Sequence, residues 1–152
     1  MGLFTRKPKP EPMPATIEDA MAEQASDFVD AFRGDGSPVP NGALDYSRTS
    51  LQAVDNVLDD FYTQGVPLPD ELHFIASSYV FEVARREFGG RYLRAADPDP
   101  FVLVIGEPDF QVGVMVMGKV AGRAANGPED SIPFFYEGIA PLVDRKQSAT
   151  LV

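Results

Sequence analysis

His73 is the single histidine of this 152-residue chain, and the chain has no cysteine. Any relay that carries a proton from a nucleophile to a base on an imidazole must therefore use this one ring. Asp70 precedes it by three residues and Ser77 follows it by four, so on a helix a carboxylate, a base and a hydroxyl would share one face. Such neighbours also arise by chance on most helices, and the plainer reading is a partly exposed surface histidine. Glu82 lies between two apolar stripes with Arg85 and Arg86 three and four residues on, which reads first as a local ion pair. A pocket near His73, Glu82 and Arg85 would make the protein a small enzyme or ligand binder. One histidine with scattered carboxylates lacks the paired ligand spacing of zinc or non-haem iron sites, so neither a metal nor a cofactor is expected.

Two further patterns could do chemistry and have simpler explanations. The carboxylate pairs Asp59 with Asp60, Asp97 with Asp99, and Glu129 with Asp130 could exchange protons, but adjacent acids at helix ends and turns serve as caps and solvated charges. Gly113 to Lys119, GVMVMGK, reproduces the spacing of a phosphate loop up to its last position, where Val120 replaces the magnesium-binding hydroxyl. Val114 to Met117 are large apolar residues suited to a core, not to an exposed cradle of inward N–H groups.

Charge is more informative than any of these. The net charge is −10, and 14 of the 23 acidic residues fall between Glu11 and Glu82, a stretch with two Arg and no Lys. Nucleic-acid phosphates must be met by Lys and Arg, so DNA or RNA is not an expected partner. No apolar run reaches the roughly 18 residues needed to cross a bilayer, and no membrane partner is expected. Met1 to Pro14 lacks the apolar stretch of a signal peptide, and Arg6 stands where a myristoylation motif wants Ser or Thr. The lack of cysteine is compatible with a reducing compartment, so the expected location is the cytoplasm.

The elements that must carry these residues follow from period and punctuation. KPKPEPMP, Lys7 to Pro14, alternates proline and predicts an extended tail over residues 1–14. Thr16 with Asp19 resembles a capping box, and Ile17, Met21, Phe28 and Phe32 share a sector of a helix that reaches Arg33. Glu23, Asp27 and Asp30 form its acidic back. Residues 34–43 read as a Gly/Pro linker, so this helix could dock on its own chain or pair with a second copy in a homo-oligomer. The main domain spans residues 44–143. Ser47 or Ser50 caps a helix that buries Leu51, Val54, Val57, Leu58, Phe61 and Tyr62 and turns Asp55 and Asp59 outward. Asp70 caps a third helix running to Phe88, apolar on two sides and hence covered on two sides. Strands are predicted at Arg91 to Arg94, Phe101 to Ile105 and Phe110 to Met115. A short helix ends at Asn126-Gly127, and a last one starts at Ser131 and buries Phe134, Phe135, Ile139 and Leu142. Residues 144–152 read as a frayed end. The sum is an α+β domain with a three-stranded antiparallel sheet, a largely buried central helix and flanking helices.

Three segments carry a resemblance: LDYSRTSLQAVDNVLDDF at 44–61, YVFEVARREFGGRY at 79–92 and NGPEDSIPFFYE at 126–137. In these, over about two thirds of its length, the chain resembles a family of uncharacterised bacterial single-domain α+β proteins. The family pattern has Gly before the Glu-Val of the middle motif and Trp after Gly-Gly, where this chain has Phe81 and Tyr92. The resemblance implies that Phe81 fills whatever space that Gly leaves, and that the protein acts as a toxin-neutralising or regulatory partner.

The expected function is thus non-catalytic: an acidic interaction module that meets a basic protein surface. Asp55, Asp59, Asp60, Glu23, Asp27 and Asp30 are the expected contact residues, because like charges four apart and acids at a helix C-terminus are locally unfavourable and no nearby Lys offsets them. A second expectation places an anion or acidic partner against Arg85, Arg86, Arg91 and Arg94.

Overall fold

The computed structural model describes residues 16–152. The proline-alternating segment, predicted to be an extended tail, lies outside the described residues. Among them are six α-helices: α1 (Ile17–Ala31), α2 (Leu51–Gln64), α3 (Asp70–Phe88), α4 (Met117–Asn126), α5 (Ile132–Glu137) and α6 (Ile139–Asp144). Four strands, β1 (Arg91–Arg94), β2 (Phe101–Ile105), β3 (Val112–Val114) and β4 (Ala149–Leu151), form one sheet in that spatial order. The protein is α+β, with one strand more than predicted.

Two of the first three predicted helix starts carry the capping bond read for them. Thr16 Oγ1 accepts from the Asp19 N–H at 3.1 Å and starts α1, satisfying one of the orphan donors of a helix N-terminus. Ser47 caps a 3₁₀ turn (Arg48–Ser50) that runs into α2, and Gly65, at φ 66°, ends that helix in the left-handed conformation. Asp70 is the first helical residue of α3 rather than its cap; Pro69 holds the cap position.

From Ile75 to Ala84 every residue of α3 is buried. α1 packs along it with Met21, Ala25 and Phe28, while β2 and α4 lie against other sides. The apolar face of α1 is therefore covered by its own chain, and the polar back is what it offers outward. Gly90, at φ 112°, begins the return into β1, where a Cβ would meet the Val104 carbonyl oxygen at 2.6 Å. β1 pairs antiparallel with β2, with Tyr92 opposite Leu103, and β2 pairs antiparallel with β3.

Three expectations are corrected here. The chain end is not frayed over residues 149–151: β4 runs parallel to β3, with Gly113 opposite Thr150. A parallel partner needs a crossover, supplied by α4, α5 and α6, so nothing in the terminal residues alone announces it. The last predicted helix is two short ones that meet at Gly138. Phe134 points away from the core and is 81% exposed, while Phe135 and Tyr136 take the buried positions. No helix among the described residues is long and apolar enough to cross a membrane.

Candidate functional site

α2 and α4 pack together, and their contact decides what the acidic residues of α2 do. Arg123 of α4 sits on the same face as Val120 and Ala124 and is 4% exposed. Its Nε donates to Asp55 Oδ1 at 3.0 Å and its Nη2 to Asp59 Oδ1 at 2.8 Å. Asp55 Oδ1 also accepts the backbone N–H of Ile132 at 2.9 Å, at the start of α5. Burial works against the Arg123 charge, but the two carboxylates more than offset it and hold the guanidinium above its ordinary range. Asp55 and Asp59 are thus corrected from outward contact residues to an internal clamp joining α2, α4 and α5. The signal that could have revealed it is Arg123 itself, a cation on the apolar face of α4 between Val120 and Ala124.

The proposed arginine cluster is divided in the same way. Glu82 is fully buried, and its carboxylate accepts from Arg85 Nε at 2.7 Å, Arg85 Nη2 at 2.9 Å and the Tyr92 hydroxyl at 2.8 Å. Burial together with the adjoining Glu82 charge pushes the Tyr92 phenol up, while the bidentate bond to Glu82 raises Arg85. The pair is three residues apart, not four; Arg86 stacks instead over the Tyr46 ring, 3.5 Å from its centroid. Arg91 binds Glu107 at 2.6 Å, and Arg94 lies over Phe101. Phe81 and Tyr92 meet edge to face with centroids 5.4 Å apart, so the space beside Glu82 is filled.

His73 and Glu82 both belong to α3, nine residues apart, or about 13.5 Å along the axis at about 1.5 Å per residue. They do not share a site. His73 instead lines an open cleft of about 510 Å³ together with Phe61, Tyr62, Leu68, Asp70 and the alanines of α4. Its Nε2 bonds the Met117 carbonyl oxygen at 2.8 Å, and since a carbonyl only accepts, Nε2 is the donor. Asp99 Oδ2 accepts the N–H of the same peptide unit, from Gly118, at 3.1 Å. The phosphate-loop spacing therefore ends in a helix start whose N–H is already taken, and Lys119 binds Asp130 at 3.2 Å.

What remains outward is the back of α1. Glu23, Asp27 and Asp30 are exposed, joined by Asp19 one turn earlier. Asp30 has a neighbour in Arg33 at 3.4 Å, but both side chains are more than half exposed. Asp19, Glu23 and Asp27 have no ion-pair partner among the described residues. Asp60 is also exposed and lines a shallow concavity with Phe32, the C-cap of α1. At its C-terminal end the ridge works against its own helix: Asp30 lies in the last turn of α1, which holds no basic residue, whereas Asp19 in the first turn is favoured by the dipole.

Comparison of the chain with protein-family models, with curated proteins and with solved structures gives no match.

Proposed function

We propose that this protein is a non-catalytic interaction module whose contact surface is the acidic ridge of α1, read by a basic protein partner. What supports the reading is a contrast between two helices that break the same local rules. On α2 the like-charged Asp55 and Asp59 are compensated through tertiary structure by Arg123. On α1 Glu23 and Asp27, also four residues apart, have no such compensation among the described residues. Each such pair costs about 0.2–0.5 kcal/mol, and a sequence keeps an uncompensated cost of this kind most readily where a partner relieves it. Opposed charges of this sort steer encounter and set orientation more than they set affinity. An immunity-like or regulatory role belongs to this reading, in keeping with the acidic ridge and a filled core around Glu82.

The test is a triple reversal, Asp19→Lys, Glu23→Lys and Asp27→Lys, in the full chain, followed by pull-down from native lysate over a salt series. A partner retained by the parent chain at low salt, released by added salt and lost by the variant supports the proposal. The same partner held equally by both proteins, with thermal melting showing the variant folded, overturns it. Failure to retain any partner at low salt also counts against it.

A further inference from the structure

We infer that the cleft beside His73 is a small-molecule site for an amine carried on an apolar aryl or alkyl body. This inference is independent of the α1 ridge. The cleft, about 510 Å³, lies within the range of ligand-binding clefts, roughly 300–1,000 Å³. It is hollow because Ala121, Ala124 and Ala125 of α4 form one side, where larger side chains would close it. Phe61, Tyr62, Val66 and Leu68 form the apolar walls.

Two of its walls are fixed. The Tyr62 ring lies directly over Gly127, where a Cβ would come within 2.6 Å of Cζ. Gly127 has φ 93°, a conformation that favours glycine. The His73 ring is held by its bond to Met117.

The polar chemistry selects the ligand class. Asp70 lines the cleft and precedes His73 by three residues, on the same face of α3. Among the described residues it has no ion-pair partner, and no Lys or Arg lines the cleft. A carboxylate without a neighbouring cation matches a group with positive charge and several N–H donors. The N-terminus of α3 contributes a partial positive charge of about half a unit, which Asp70 and Glu71 in its first turn outweigh. The apolar walls take the body of the molecule.

2-Phenylethylamine is the probe, with 2-phenylethanol and 3-phenylpropionate as neutral and anionic counterparts. The full chain is titrated by NMR, reading the ring C–H resonances of His73, unambiguous because the chain has one histidine. The amine is expected to give saturable shifts, with the alcohol about tenfold weaker and the acid giving none. Ala121→Leu, which fills the cleft, is expected to abolish the response, and Asp70→Asn to bring amine and alcohol within about twofold. If Ala121→Leu does not fold by thermal melting, Ala125→Leu, at an exposed position, serves instead. No saturable shift with the amine, equal binding of the acid, or amine binding that survives the folded filling variant overturns the assignment.

Discussion

Arg123 and Asp55 are 68 residues apart in sequence, and their Nε and Oδ1 atoms are 3.0 Å apart. The pair is almost wholly withdrawn from water, with side chains 5% and 10% exposed. A buried ion pair adds little over a well-packed apolar pair, yet losing one member strands the other charge in a poor solvent.

Replacement of one partner is therefore far more harmful than replacement of both. Arg123→Met leaves the Asp55 carboxylate with the Ile132 N–H alone and is expected to cost about 3–5 kcal/mol in urea unfolding. The double variant Asp55→Val with Arg123→Met is expected to recover most of that loss. Asp59→Asn, at a side chain 37% exposed, should cost about 1 kcal/mol or less. A double variant as unstable as Arg123→Met alone would show that the clamp contributes by attraction and not by avoiding a stranded charge.

Acid sensitivity has a local source at Glu18. Its carboxylate accepts the Tyr92 N–H at 3.0 Å, tying the first turn of α1 to β1. That bond, working against partial burial, holds the carboxyl below its usual range. A depressed folded-state value stabilises the protein above the unfolded value, about 4.3, and the contribution is lost as pH falls through the folded value. Glu18→Gln is thus expected to lose about 0.5–1 kcal/mol relative to the parent at pH 6. The difference should close toward pH 3. Urea unfolding at intervals between these limits checks it, and a gap that widens on acidification contradicts the assignment.

The chain end contributes to stability. β4 receives the Met115 N–H at the Leu151 carbonyl at 2.9 Å, and the Ala149 N–H reaches Gln111 at 3.1 Å. Deleting residues 149–152 uncovers the β3 edge and removes the half-buried Leu151 side chain from its packing against the core. The expected loss is about 1–3 kcal/mol, or roughly 2–12 °C in the midpoint of a thermal melt at about 2–4 °C per kcal/mol for a chain of this size. Thr150→Ala, at an exposed position, should shift stability by less than about 0.5 kcal/mol. An unchanged melt on truncation would mean that the strand is an ornament of the sheet.

Residues that act on near neighbours were legible. Thr16 bonds a donor three residues on, Gly65 supplies a left-handed turn at its own position, and the apolar period of α1 names Met21 and Phe28 as buried. The acidic ridge of α1 was legible for the same reason, because both its faces are set by one helix. The long-range partners of Asp55, Asp59 and Glu82 were not. Whether Asp55 faces water depends on Arg123, and whether Glu82 can do chemistry depends on Tyr92, which returns on β1.

By itself the sequence determined the helices and antiparallel strands, the acidity of α1 and the lack of a thiol. These follow from side-chain period, turn chemistry and composition, all of which act over a few residues. Only tertiary structure decided which carboxylates are free, that the chain end pairs with β3, and that three alanines leave a cleft beside His73. Those outcomes depend on groups far apart in the chain meeting at hydrogen-bond range, where local spacing carries no signal.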